Sequence, residues 1–235
     1  MTAHATDYTW FAQRYPVLGE AHCLTQVQGI SADELLRRFD ALPGREVTGL
    51  DAVVAAWESF EDGEDEQDEE DEEDEEDEET GDDEEVGEGE DAGALPGAAD
   101  DRLFVAVTEL DGWAIGVEPF GYLGTLDEIL PRLGEGTRLV SHFRNSMAVD
   151  HFHWWEHGIR RLHFEPLFPG QRDGSDAEAP GVPELLTACG FDLETESHAL
   201  CGEAAFALAE RLTDVRLDPD RLESATFRIG YAPRP

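Results

Sequence analysis

The chain has 235 residues, of which 56 are acidic and 16 are basic, and every base is an arginine. Residues 61–91 hold 24 of the acids and no base, so the rest of the chain still carries twice as many acids as bases. This charge argues against the phosphate backbone of nucleic acids and against anionic membrane surfaces, because both are negative. It favours a basic protein partner instead.

The three cysteines, Cys23, Cys189 and Cys201, are odd in number and widely spaced, without a CxxC motif. That usage is typical of reduced thiols and predicts a cytoplasmic protein. The N-terminal stretch lacks the basic start and apolar core of a secretory signal. No apolar run approaches the roughly 20 residues that a membrane-spanning helix needs, so we expect no membrane association.

The first part of the chain is mainly helical by pattern. Helices are predicted over "DYTWFAQRY", "ISADELLRRFDAL" and "LDAVVAAWESF". The second begins with Ser31 and Glu34 at capping-box spacing. The third places Leu50, Val53 and Trp57 on one helical face. A short strand is predicted in "REVTGL".

An acidic tract then interrupts the chain over residues 61–99. Its near absence of apolar side chains predicts disorder, since such a segment cannot bury enough surface to offset the entropy of ordering it. Lengthening a loop from about 5 to about 40 residues costs only roughly 1.8 kcal/mol in closure entropy. We therefore expect one domain over residues 1–235, with the tract as an insertion within it.

Alternating segments follow the tract and predict strands between residues 102 and 165. They are "RLFVAVTEL", "WAIGVEPFG", "TRLVSHFRN", "AVDHFHWWEHG" and "IRRLHFEPLF". Asp111-Gly112 and His157-Gly158 are typical of tight hairpin turns. A short helix is predicted in "GTLDEILPRLGEGT", and three helical pieces close the chain. The predicted fold is α+β: an antiparallel sheet of about five strands, packed against one layer of N- and C-terminal helices.

Histidines crowd the predicted strands. His151 and His153 alternate along one strand, so they share a face and form a candidate zinc pair. The candidate third ligands are His142, His163, Glu118 and Glu165. In the alternative, the imidazoles pack beside Trp154 and Trp155 without a metal. No HExxH motif supports the metal, and no cofactor is predicted.

A second candidate site combines His142 and Arg144 with Trp154 and Trp155. His142 and Arg144 share a strand face, and the planar guanidinium offers donors to an anionic ligand. In the alternative, Arg144 pairs with an acid across the sheet. A Ser141-His142-Asp150 triad is disfavoured because adjacent strand residues point to opposite faces. No catalytic residue is predicted.

Several segments together resemble an uncharacterised actinomycete family of unknown function. They are "DYTWFAQRYP", "HCLTQVQGISADELLRRF", "GWAIGVEPFGYLG", "GTRLVSHFRNSMAVDHF", "FEPLFPGQRDGSD", "CGFDL" and "EAAFALAERLTDVRLDPDRLESATF". The resemblance covers the chain outside the acidic tract and implies a bacterial cytoplasmic protein, but no activity.

Two functional hypotheses remain open from the sequence. The first is a non-enzymatic interaction module that engages a basic partner, for instance by neutralising a basic toxin in bacterial conflict or immunity. The alternative is a metal- or small-molecule-binding domain, or an enzyme, that uses the histidine-rich strands. Whether the chain is an enzyme at all stays open.

Overall fold

The computed structural model describes residues 2–74, 101–194 and 198–235, with the side chains of residues 64–74 left out. Its strands form one sheet with the order β2-β9-β3-β4-β1-β5-β6-β7-β8, in which every neighbouring pair is antiparallel. The strands are β1 (His22–Gln28), β2 (Leu42–Thr48), β3 (Arg102–Leu110), β4 (Trp113–Pro119), β5 (Arg138–Arg144), β6 (Asp150–Glu156), β7 (Ile159–Phe164), β8 (Arg172–Asp173) and β9 (Thr226–Pro233).

Helices from both ends of the chain surround this sheet. They are α1 (Trp10–Arg14), α2 (Pro16–Glu20), α3 (Ala32–Arg38), α4 (Leu50–Asp74), α5 (Leu130–Leu133), α6 (Val182–Cys189), α7 (Cys201–Thr213) and α8 (Pro219–Ser224). Two 3-10 turns, Ala5–Asp7 and Leu123–Thr125, complete the regular structure of the described residues. None of the helices in the described ranges is long and apolar enough to cross a membrane.

The sheet separates two hydrophobic cores. Along β3, Phe104 and Ala106 face the larger core, whereas Val105 and Val107 face the smaller one. Residues of α1, α2, α4, α6, α7 and α8 cover the first face. Helices α3 and α5 cover the second. Because the side chains of a strand alternate between faces, apolar residues at successive β3 positions are buried on both sides.

The predicted cap at Ser31 and the predicted hairpin turn at Asp111-Gly112 are confirmed. The Ser31 hydroxyl accepts a hydrogen bond from the Glu34 N–H at 3.2 Å and caps α3. Asp218 caps α8 in the same way, with Pro219 at the first helical position. The β3–β4 turn has positive φ at Asp111 and Gly112, which a two-residue hairpin of this kind requires.

The α+β class is confirmed, but the predicted sheet was too small, with about five strands instead of nine. Strands β1, β8 and β9 were not predicted. Polar residues interrupt β1, and Gly230 and Pro233 weaken the strand pattern of β9. A single helical layer was also wrong, because α3 and α5 cover the opposite face.

Two helical segments also differ from the sequence prediction. The helix predicted after β4 shortens to a 3-10 turn followed by the four residues of α5. Helix α4 begins at Leu50, as predicted, and runs to Asp74. The remainder of the predicted disordered insertion, residues 75–99, lies outside the described residues.

Candidate functional site

The strand register places three polar residues side by side at one end of the central strands. His22 of β1 pairs with Arg144 of β5, and Arg144 pairs with Asp150 of β6. Directly opposed residues share a face, and His142 lies on the same face, two positions before Arg144. His22, His142 and Asp150 are buried, and Arg144 is partly buried. The sheet therefore gathers two imidazoles, a guanidinium and a carboxylate beneath its helical cover.

A chain of hydrogen bonds fixes the protons of the two histidines. His22 Nδ1 lies 2.6 Å from the Leu18 carbonyl oxygen, which can only accept, so Nδ1 carries the proton. Burial lowers the pKa of His22 to about 4 and lowers the pKa of His142 as well, so both rings are neutral near pH 7. His22 Nε2 is then an acceptor, and His142 Nδ1 donates to it across 3.5 Å. His142 Nε2 consequently holds a lone pair, and it is buried without a hydrogen-bond partner.

Arg144 and Asp150 form a partly satisfied ion pair beside the histidines. Arg144 Nη1 lies 3.6 Å from Asp150 Oδ2, while Asp150 Oδ1 is buried without a partner. Burial is the main reason that the pKa of Asp150 rises to about 6, against the opposing effect of Arg144. The Cys201 thiol lies 4.0 Å from the same Oδ2. Asp150 is thus ionised at neutral pH but poorly solvated.

A small cavity of about 40 Å³ opens between these strands and α7. Its polar lining comprises His22, His142, Arg144 and Glu203. Its remaining lining residues are Tyr8, Phe11, Ala12, Gly19, Gly202 and Phe206. A water needs at least roughly 10–15 Å³ of such space, so the cavity can hold a few waters or one small molecule. Helix α7 begins at the cavity, and no side chain caps its N-terminus.

Comparison with known proteins yields one match. The model of a family of unknown function (DUF6461) matches residues 1–235. The chain belongs to this family. No curated protein and no solved structure matches it. The resemblance noted from the sequence is thus confirmed as far as membership of an uncharacterised family, and the match extends across the acidic tract.

Of the four residues predicted to bind a ligand, two line the cavity and two do not. His142 and Arg144 lie together in the cavity wall, as their shared strand face indicated. Trp154 packs against the larger core, whereas Trp155 belongs to the smaller core on the opposite face, with Arg160 over its ring at 5.2 Å. Neither tryptophan lines the cavity. Trp155 faces the other side of the sheet, and Trp154 lies four positions beyond Asp150 on β6.

The predicted metal pair lies on the opposite sheet face from the cavity. His151, His153 and His163 form a stacked group, with centroids of His153 and His163 4.5 Å apart. His163 pairs with Asp173, and His153 contacts the Thr125 hydroxyl at 3.0 Å. Within the described ranges, no group of three or more His, Cys, Asp or Glu side chains is placed to hold a metal ion. The zinc pair of His151 and His153 stays a prediction.

Ser141 and Glu118, two further candidates from the sequence, make contacts outside the cavity. Ser141 faces away from His142 and lies 3.6 Å from the Cys23 sulfur. Buried Glu118 accepts hydrogen bonds from the N–H groups of Leu123 and Gly124 at 2.8 and 3.0 Å. This carboxylate therefore anchors the 3-10 turn to the sheet rather than joining the histidines.

The alternative that Arg144 pairs with an acid across the sheet is confirmed, since Asp150 lies opposite it on β6. Sequence reasoning missed His22 and Glu203 as neighbours of His142 and Arg144. His22 is 120 residues from His142 along the chain, and only the β1–β5 pairing joins them. A correct strand prediction for β1 would have marked His22 as a buried polar residue on a central strand. Nothing in the local pattern around Glu203 indicates that α7 begins over that strand.

Proposed function

We propose that this domain binds a small polar molecule in the cavity between β1, β5 and α7. The observation that carries the proposal is the buried, unpartnered Nε2 of His142 in a cavity wall that also presents Arg144. A buried acceptor without a partner costs about 1–3 kcal/mol. A ligand that donates to it recovers this free energy and gains specificity from the guanidinium.

Burial and exposure around Arg144 fit a binding role. Its side chain is 29% exposed although it lies beside fully buried Asp150, so the guanidinium reaches from the interior toward solvent. The distance of 3.6 Å between Arg144 Nη1 and Asp150 Oδ2 is longer than a normal hydrogen bond. The N–H groups of the guanidinium are therefore available to a ligand. The aromatic rings of Phe11 and Phe206 supply the apolar wall that small-molecule sites commonly have.

A thermal-shift screen tests the proposal. The panel contains anionic, cationic, zwitterionic and neutral metabolites of a few carbon atoms, at millimolar concentration. Saturation at about 100 times Kd stabilises the fold by about 2.7 kcal/mol, which corresponds to about 5–11 °C in Tm for a chain of this size.

The Arg144→Gln variant removes the guanidinium from the cavity wall. The matched control is Arg228→Gln, which removes a guanidinium outside the cavity. Arg228 pairs with Glu46 at 2.6 Å on the protein surface. We expect a ligand to raise Tm in the wild type and in the Arg228 variant but not in the Arg144 variant. A panel without any hit, or a hit that Arg144→Gln leaves unchanged, contradicts the proposal.

A second candidate function rests on the acidic tract. The 24 acids of residues 61–91, with no base among them, provide a charge density suited to a basic protein partner, such as a toxin in bacterial conflict. Pull-down from a native lysate at low and moderate salt, with the full chain and with a chain that has residues 64–99 replaced by a Gly-Ser linker, tests this. The partner should bind the full chain but not the linker variant, and the binding should weaken as the salt concentration rises. Absence of any tract-dependent partner at low salt refutes the idea.

The cysteines bear on the proposed location. All three thiols are free and buried. We place the protein in the reducing cytoplasm of an actinomycete as part of this proposal, since free thiols persist in such a compartment.

A further inference from the structure

We infer that the cavity binds a small α-amino acid, whose ammonium donates to His142 Nε2 and to Glu203 and whose carboxylate meets Arg144. This rests on the proposed small-molecule function and adds the ligand class. Three properties of the cavity lead to it: the fixed acceptor on His142, the balance of charges around Arg144, and the spacing and size of the space between them.

The first property is that the cavity presents a hydrogen-bond acceptor, so the ligand must carry a donor. The Leu18 carbonyl fixes the proton of His22 on Nδ1, so His22 Nε2 is an acceptor. The Nδ1–H group of His142 donates to this Nε2. His142 Nε2 can therefore only accept. A ligand that carries acceptors alone, such as a simple carboxylate or sulfate, leaves this atom unpaired. An ammonium or a hydroxyl satisfies it.

The second property is the local charge, which distinguishes an ammonium from a hydroxyl. Arg144 contributes one positive charge, whereas Asp150 and Glu203 each contribute a carboxylate. A purely anionic ligand would add a further negative charge to a partly buried site that already has more carboxylates than cations. A zwitterion adds no net charge. It places its positive end near Glu203 and its negative end against Arg144, where the uncapped N-terminus of α7 also favours a carboxylate.

The third property is the spacing. His142 and Arg144 alternate on one strand, so the bases of their side chains lie about 7 Å apart. A ligand that meets both side chains must then carry its donor close to its carboxylate, as in an α-amino acid, where both groups are attached to the same carbon. The cavity of about 40 Å³ limits the side chain to the size found in glycine, alanine or serine. The rings of Tyr8, Phe11 and Phe206 can contact the aliphatic part and face the ammonium.

Isothermal titration of the full chain with three matched acids tests the inference. L-Alanine, L-lactate and propionate differ only in carrying an ammonium, a hydroxyl or a hydrogen on the same carbon. We expect alanine to bind at least about tenfold more tightly than lactate, and propionate most weakly, because each loss of a donor leaves buried acceptors unpaired. Lactate or propionate binding as tightly as alanine overturns the amino-acid assignment but leaves the small-molecule function intact. If neither these acids nor the metabolite panel binds, both proposals fail.

Glu203→Gln provides a second, independent readout. Glu203 is only partly buried, so this substitution should leave the fold intact. It should weaken alanine about tenfold and leave lactate unchanged or tighter, because only the ammonium gains from the carboxylate. Glu184→Gln, on the exposed side of α6, is the matched control and should change neither affinity. Equal effects of Glu203→Gln on alanine and lactate contradict the assignment.

Discussion

Replacing Glu118 with glutamine is expected to remove a large part of the pH dependence of stability between about pH 4.5 and 7. Glu118 is fully buried on β4. Burial raises the pKa of its carboxyl from 4.5 to about 7, although the N–H groups of Leu123 and Gly124 favour the charged form. The cost of desolvating the carboxylate therefore exceeds the gain from its two hydrogen bonds.

The sign and size of the effect follow from this raised pKa. Between pH 4.5 and about 7 the folded chain binds a proton at Glu118 that the unfolded chain has released, so folding loses stability as the pH rises. Each unit of pKa difference is worth about 1.4 kcal/mol. The wild type should lose about 3 kcal/mol relative to Glu118→Gln over this range. Glutamine also places an amide N–H₂ near one backbone donor, a penalty of about 1–3 kcal/mol that does not vary with pH.

Urea unfolding followed by tryptophan fluorescence at about pH 5 and about pH 8 measures this difference. The acidic tract is identical in both proteins, so its own titration cancels in the comparison. Glu128→Gln, which removes an exposed carboxylate nearby, serves as the control. The reasoning is refuted if the difference in unfolding free energy between wild type and Glu118→Gln is the same at both pH values, or changes in the opposite direction.

Three further outcomes test the packing. Gly124→Ala should cost about 1–3 kcal/mol in urea unfolding, because the new Cβ would lie 1.9 Å from the Thr25 hydroxyl; an unchanged midpoint would show that the turn moves freely. Tyr8→Phe should cost about 1–3 kcal/mol, because the Tyr8 hydroxyl donates to buried Glu210 at 2.6 Å, and adding Glu210→Gln should recover part of the loss. Replacing residues 64–99 with a Gly-Ser linker of about ten residues should preserve one cooperative thermal transition within about 1 kcal/mol, and loss of cooperativity would mean that the tract belongs to the fold.

Local features of the fold were predictable because nearby residues determine them. Ser31 and Asp218 cap their helices, and Asp111-Gly112 supplies the positive φ values of a hairpin. The position of β9 between β2 and β3 was not predictable in this way. It depends on pairing residues more than 100 positions apart, such as Val107 with Arg228, and no turn signal specifies that contact.

The candidate site shows the same division. The period of a strand placed His142 and Arg144 on one face, and the same rule applied to Trp154 and Trp155 would have separated them. His22 joins the site only through the β1–β5 register. The lone pair on His142 then depends on the position of a proton on His22, which the Leu18 carbonyl of α2 determines. Such a preference arises from three-dimensional contacts and leaves no pattern in the sequence.

The position of β9 between β2 and β3 has a consequence for synthesis on the ribosome. This strand, Thr226–Pro233, follows all the others in the chain, yet it joins β2, which precedes the acidic tract, to β3, which follows it. While the chain is still emerging, β2 has no neighbour and β3 has an open edge. A nascent polypeptide must keep those edges unpaired until β9 has been synthesised. Termination of translation before Thr226 would leave β2 without its partner strand and detach it from the rest of the sheet.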